Sequence, residues 1–560
     1  MTDRSGLTDS QGGYRFKPHE LPILPGSPAN PDHPTGRKIA YLVIGVFLGL
    51  VGGAQNGFLL ANTAALQGEM ALTPVEAGWI SVAFYSTYAC TSMLLFRVRQ
   101  EFGIQSFVRY AMIGLVAANF VQLLELGYAA ELVARALAGI TASGLFALSL
   151  YYLMQGLPAA ARIGALILGI GLAQTAFPLA RAMSPYLLVD GDISRAFQLQ
   201  FAVSLIALGA VYVLRLPPGH RTKTFEKLDL ASIALFIAGV TALIAFLVQG
   251  RIQWWDTPWL GGALAVSILC LGGCFLIERN RSRPMLDMRW LSSRAILALA
   301  ITGAGVRLLV SEQTFGASGL FSALGFGNEQ LTGYYLVLAG ATIAGSILSL
   351  VRLDPRDLSR PILFAILVIA MAAFADTRTG IMSRPGDLYL TQAAIGFAAV
   401  FAMGPVMMEG MLRALAAGPA YVVSFIAVFS LSQTLGGLAG VSALSAFHTI
   451  RLKTHLIDAG ATLTAANPQL ARELGQATAR LGTTISDPAL QQQAAAARIA
   501  REVGREAAVL AFNDVFFLIG SLACIAFVVV LAPWISNRLR GRNPLSKELA
   551  FLETMRPGNK

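Results

Sequence analysis

Charge is the first thing this sequence lacks. Asp, Glu, Lys and Arg make up 13% of its 560 residues, against roughly 25% in soluble globular proteins. A chain of this length with so little polar surface cannot cover a water-soluble body. Cysteine is equally sparse: Cys90, Cys270, Cys274 and Cys524 all sit in apolar stretches, which suits small, buried, lipid- or helix-facing side chains. Cys270 and Cys274 lie one helical turn apart with no histidine beside them, so no metal site is expected. The five histidines fall in the tail or in connecting segments. No phosphate-binding loop, ligand cluster or nucleophile elbow is present, so no enzyme and no cofactor are expected. No cleavable leader is legible either. The first apolar run begins near Ile39, behind a tail rich in proline and glycine from Leu21 to Gly36 that reads as disordered.

What the sequence has instead is grease. Hydrophobic residues reach 55%, with 55 glycines and a mean hydropathy of +0.62. Small residues let membrane helices approach closely. A spanning helix needs about 20 mostly apolar residues, and fourteen stretches qualify: 39–60, 77–96, 107–127, 132–154, 163–188, 196–214, 230–248, 259–277, 295–321, 331–351, 362–375, 388–408, 420–447 and 512–535. The eleventh is the shortest, ending before Asp376, and the ninth is long enough to be tilted or broken. The fold class expected is therefore an all-α polytopic membrane protein.

The net charge of +11 raises nucleic acid as a partner, but its distribution excludes that. With a cytoplasmic N-terminus, the inner loops and their borders hold Arg97, Arg99, Arg109, Arg162, Arg215, Arg221, Lys223, Lys227, Arg279, Arg281, Arg283, Arg289, Arg294, Arg352, Arg356, Arg360 and Arg413. The short outer loops hold only Arg195, Arg251, Arg378 and Arg384. This is the positive-inside pattern, and it sets both termini in the cytoplasm of an inner (plasma) membrane protein. Trp254, Trp255 and Trp259 mark an outer interfacial belt. One long polar segment, 448–511, lies on the outer side. Asn467-Pro468 and Asp487-Pro488 within it are N-cap and first-helical-residue pairs, predicting a helical hairpin that projects from the membrane.

Each charge at a helix centre costs at least about 2.5 kcal/mol, so polar residues inside the spans are the candidate site. Arg307 and Glu312 stand mid-span in the ninth stretch, five residues apart and about 140° apart on a regular helix, so they are no local ion pair unless the helix breaks. Glu312 is the first candidate for a carboxylate that binds a proton, with Gln313 beside it; a structural pairing with an arginine elsewhere is the alternative. Arg135 lies in span four. Gln174 and Arg181 lie in span five, where Pro178 and Pro185 loosen the helix as a gating element requires. Gln55, Asn56, Asn62 and Gln433 supply amides that serve either as cavity contacts or as interhelical glue. Glu125 and Glu409 near span ends rank lower.

Together these features resemble the fourteen-helix drug–proton antiporter branch of the major facilitator superfamily, the EmrB/QacA type, across 39–535. Arg135, Gly139 and Gly144 match the arginine-and-glycine motif of span four, and Pro178 matches the proline of the antiporter motif in span five. The start at Leu228-Asp229, the stretch Pro284-Met285-Leu286-Asp287 and the Ala511-Phe512-Asn513-Asp514 run before the last span are similar too. The cytoplasmic motif after span two departs: Phe96 to Gln105 keeps only Phe102 and Gly103, with Gln100 in place of the aspartate. Leu179 and Arg181 replace the glycines flanking the motif proline, and the usual span-one aspartate is absent.

The resemblance implies a major facilitator fold with a cytoplasmic tail 1–38, a six-helix half 39–214, two extra central helices within 215–294, a second half 295–535 carrying the hairpin, and a tail 536–560. It implies proton-driven efflux of amphipathic or aromatic small molecules by alternating access, with Pro178, Pro185, Gly139 and Gly144 in gating helices. The partners implied are a small organic substrate, the lipid bilayer, and a periplasmic adaptor with an outer-membrane channel. An importer or facilitator on the same fold, or a transport-dead sensor or assembly subunit, stays open.

Overall fold

A computed structural model describes residues 27–158, 161–162, 164–188, 191–219, 225–282, 284–462, 468–481, 485–541 and 543–554, with 17, 20 and 22 of the tail. In hydrocarbon every backbone N–H and C=O must be satisfied within its own segment, and helices do this. The described chain is accordingly helical, and its only β pairing is a single bridge between Pro28 and Gly219.

Each expected span is a helix. They run α1 Thr35–Ala61, α2 Pro74–Phe102, α3 Ile104–Leu123, α4 Tyr128–Gly156, α5 Gly164–Leu187, α6 Ser194–Val213, α7 Lys227–Gln253, α8 Pro258–Asn280, α9 Arg294–Leu324, α10 Thr332–Val351, α11 Ser359–Asp376, α12 Tyr389–Ala417, α13 Pro419–Thr462 and α14 Pro488–Leu539. Thirteen are long and apolar enough to cross a membrane. The other, α2, has 29 residues and starts with a capping box, in which Thr73 and Glu76 satisfy each other's backbone N–H with Pro74 at the first position.

In the first half α4 packs on α1, α2 and α3, while α1 packs on α5 and α3 on α6. In the second, α12 packs on α10 and α11, α9 on α13, and α14 on α11 and α13. Two seams join the halves, α5 against α10 and α2 against α13. Helices α7 and α8 pack on each other, and α7 lies against both α2 and α13. Burial follows this plan. Only 17% of the most apolar stretch of α8 is buried, against 83% for α12. Leu269, Leu276 and Ile268 of α8 are exposed, which places them against lipid, whereas α12 is central.

Close approach of the helices, at a seam and within a half, depends on small residues. A Cβ on Gly171 of α5 would stand 1.9 Å from Ser346 Oγ of α10, and one on Gly139 of α4 would stand 2.4 Å from the Phe84 carbonyl oxygen of α2. Gly144, the other glycine of that motif, has only ordinary contacts with Ala111 and Phe107. Its role is therefore weaker than the motif suggests.

Three expectations are refined or corrected. The helical projection after span thirteen is built from the spans themselves: α13 continues unbroken for 44 residues and α14 for 52. At 1.5 Å per residue these are about 66 and 78 Å long, more than twice the roughly 30 Å hydrocarbon core. The projection is thus an extension of two spans, with Pro468–Leu481 between them. Asp487 caps α14 by accepting from the Ala489 N–H at 2.9 Å; Asn467 lies outside the described residues. Second, His448 and His455 are not in a loop but in α13. His448 sits against Phe512 and Phe315, with ring centroids 4.1 and 5.9 Å away, and His455 shares Asp514 of α14 with Arg451, at 2.7 and 2.6 Å. Third, the end of the tail is ordered. Ala29, Asn30 and His33 are buried because Gln155 of α4 donates to Ala29 O at 2.8 Å and Asn30 Oδ1 at 3.0 Å, while its own Oε1 meets His33 Nε2 at 2.9 Å. Burial holds the His33 imidazole below its ordinary value.

Candidate functional site

Helix polarity gives the bundle two faces. The terminal face carries the start of α1 and the end of α14, and the extension face carries the projecting ends of α13 and α14.

In the first half, Arg135 is fully buried, and its Nε meets Glu131 Oε1 at 2.8 Å one turn earlier. Its Nη1 donates to the Gln55 carbonyl oxygen at 2.7 Å, and Gln122 Nε2 donates to the same Glu131 oxygen at 2.9 Å. Glu131 was missed in the sequence because it borders the span; its spacing of four from Arg135 was the available signal.

The second half differs. Glu312 is completely buried at the start of a π-helical turn, Glu312–Ala317, that interrupts α9. Such turns often mark functional sites. Gln392 Nε2 of α12 donates to Glu312 Oε1 and to Asp376 Oδ2 of α11, both at 2.8 Å. One amide therefore links two buried carboxyl groups from different helices. Glu312 Oε2 is buried with no hydrogen-bond partner. Gln313 Nε2 donates to the Gln392 carbonyl oxygen at 2.9 Å, and Tyr334 OH donates to Gln392 Oε1 at 3.2 Å. Asp376 was excluded from its span in the sequence reading, but α11 carries it inward and leaves it 3% exposed.

This cluster reaches the seam between the halves. Tyr334 packs edge-on to Tyr335 at 5.0 Å, and Tyr335 OH accepts from Arg181 Nη1 of α5 at 3.0 Å. The Arg181 guanidinium lies 5.5 Å from the Tyr335 ring and 5.4 Å from the Phe177 ring, and its Nη2 donates to Leu60 O at 3.3 Å. Nearby, Asn328 Nδ2 donates to Ala61 O at 3.0 Å, and Asn62 pairs with Ser184. These contacts close the seam toward the extension face. Farther along it Thr175 and Thr342 hydroxyls meet at 3.0 Å, and Arg307 Nη1 donates to Gln174 Oε1 at 2.9 Å. Arg307 and Glu312 thus have separate partners. Asn56 pairs with Tyr85 OH of α2 at 2.9 Å. Gln433 stands apart, its Nε2 buried without a hydrogen-bond partner. Pro178 and Pro185 both sit inside α5, which stays helical through them.

Toward the terminal face the halves separate around a cavity of about 210 Å³, lined by α2, α4 and α5 on one side and α12 and α13 on the other, with Arg99, Tyr151, Arg162, Phe146, Met93 and Met411 among its walls. Arg99 and Arg162, read as loop charges in the sequence, line it. Arg99 is buried, donates to Tyr151 OH and lies 5.0 Å from that ring. The divergent motif after span two is also engaged: Arg97 Nη2 donates to the Pro284 carbonyl oxygen at 3.0 Å, tying α2 to the connector after α8.

Two helical halves are closed at one face and parted around a cavity at the other, and solved structures share this fold. The chain superimposes on the human organic anion transporter MFSD10 (TETRAN) with TM-score 0.52 and 14% identity, covering 88% of this chain and 100% of that one. It superimposes on the proton:xylose symporter XylE bound to 6-bromo-6-deoxy-D-glucose with TM-score 0.51 and 12% identity, over 76% and 91%. A bacterial homologue of the human drug peptide transporters PepT1 and PepT2 gives TM-score 0.50 and 12% identity, over 90% and 99%. A probable actinorhodin transporter of Streptomyces coelicolor is 27% identical over 318 residues, 52% of this chain and 53% of that protein. The chain thus spans about half the length of the curated relative it matches. No protein-family model matches the chain. The chain has the major facilitator fold, two six-helix halves with two extra helices between them.

Proposed function

We propose that this protein is a proton-coupled exporter of amphipathic or aromatic solutes, of the fourteen-helix drug–proton antiporter kind, with its terminal face in the cytoplasm. The observation that carries the reading is the Glu312–Gln392–Asp376 cluster and its connection, through Tyr334 and Tyr335, to Arg181 across the seam. Two carboxyls on one amide can share a proton; without it, two anions face each other in a low-dielectric site. In the cycle we propose, a solute enters the cavity from the cytoplasm as the pair loses its proton inward. Repulsion between Glu312 and Asp376 then loosens Gln392 and Tyr334, and the Arg181–Tyr335 latch opens outward. A proton from outside restores the cluster and closes the latch after the solute has left.

The basic terminal face supports this orientation in an inner (plasma) membrane. The transport reading also draws on the likeness to a probable actinorhodin transporter. The long ends of α13 and α14, with Pro468–Leu481, offer a surface on which a periplasmic adaptor leading to an outer-membrane channel would dock; pull-down with the full chain tests this.

The decisive measurement uses liposomes with an imposed pH gradient and an aromatic dye. Wild type should expel dye in proportion to the gradient, and Glu312→Gln, inserted at equal level, should lose at least about tenfold of that response. An unchanged response would remove Glu312 from coupling, and uptake in place of expulsion would reverse the direction.

A further inference from the structure

The cavity at the terminal face has an electrostatic character that the export reading leaves open. Among the described residues, Arg99 and Arg162 are the only charged groups lining it, and no carboxylate does. Glu409, a carboxylate at the same end of α12, is held by Arg413 at 2.8 Å. Arg162 Nε is buried with no hydrogen-bond partner among the described residues, so a donor on a permanently charged guanidinium stands unsatisfied at the cavity wall. The remaining wall is soft and apolar, with Phe146, Met93 and Met411. Methionine adapts its shape to varied aromatic bodies. Arg99 donates to Tyr151 OH and adds a second positive charge to the wall.

We propose that this cavity is the loading site for amphipathic organic anions, an aromatic body carrying a carboxylate, with Arg162 as the residue that recognises the anionic group. The assignment rests on the export reading for its place in the cycle and narrows the solute from amphipathic compounds in general to anionic ones. An anionic oxygen supplies the acceptor that Arg162 Nε lacks, and a charge-assisted bond there is about twice as strong as a neutral one. An organic cation would meet two like charges with no counter-ion in the wall. The apolar body displaces water from the aromatic and thioether surface, and affinity scales with that buried area.

The test compares three probes of one shape: 2-naphthoate, neutral 2-naphthamide and 2-naphthylmethylammonium. Binding to the full chain in zwitterionic nanodiscs is measured with no proton gradient, and binding to empty nanodiscs is subtracted. Wild type should bind naphthoate at least about tenfold more tightly than the ammonium compound, with naphthamide between them. Arg162→Gln should weaken naphthoate about tenfold and leave naphthamide within about twofold, and Arg162→Lys should restore much of the loss. The ranking of the three probes on wild type needs no variant to fold, so it decides even if Arg162→Gln is unstable. Equal or tighter binding of the ammonium compound overturns the proposal, as does undiminished naphthoate binding by a folded Arg162→Gln. If naphthoate binds as expected but no gradient drives it out of liposomes, the export reading fails and the site stands. If cations are expelled and naphthoate does not bind, the site fails and export stands.

Discussion

The two halves bury their charge in opposite ways. In the first, Arg135 and Glu131 are of opposite sign, 2.8 Å apart on one helix, with Gln122 and the Gln55 carbonyl bonded to them. In the second, Glu312 and Asp376 are of the same sign, on different helices, joined through Gln392. An opposite pair neutralises itself and is content in one arrangement. A like pair needs something from outside, and the smallest thing that satisfies it is a proton. The first cluster is therefore suited to holding a half together and the second to responding.

That contrast can be broken most forcefully at Glu131. Glu131→Ala leaves Arg135 as an unpaired charge at 0% exposure, which should cost about 3–5 kcal/mol. Unfolding in detergent would show it, and the double change Glu131→Leu with Arg135→Leu should recover most of the loss, because two apolar side chains leave no orphan charge. Failure of that recovery would mean the pair does more than pack. A smaller effect, on transport rather than stability, is expected at Asp376. Asp376→Asn should shift stability by less than about 1 kcal/mol while reducing the gradient response about tenfold. A large loss of stability with an intact response would make the acid pair structural after all. Smallest is Tyr335→Phe, which deletes the hydroxyl that Arg181 reaches at a cost of about 1 kcal/mol. Its signature should be easier labelling of a cysteine placed near Asn328, on the closed face. No change in labelling would uncouple the latch from the seam.

Much of this architecture was legible in the chain. Every expected span is helical, and the ninth, read as long enough to be broken, carries the π turn at Glu312. Gln174 and Arg307, chosen separately as polar residues inside spans, bond to each other across the seam. What was missed lay at span edges. Asp376 and Glu131 stand just outside the apolar stretches 362–375 and 132–154 because hydropathy falls there, yet a helix end can still be buried by its neighbours. Arg99 and Arg162 were counted as loop charges, whereas the parting of the halves puts them on a cavity wall. The ordered segment 27–34 reads as tail because a side chain that holds it, Gln155, is more than a hundred residues away.

By itself, the sequence determined that the chain lives in lipid and which stretches cross it, since transfer of apolar residues from water is additive along the chain and needs no knowledge of neighbours. It also determined which charges were expensive enough to demand partners. Only the tertiary structure decided who those partners are. Hydrogen bonding and Coulomb attraction act over a few ångströms in a medium of low dielectric, and whether Gln392 lies between Glu312 and Asp376 depends on how α9, α11 and α12 pack.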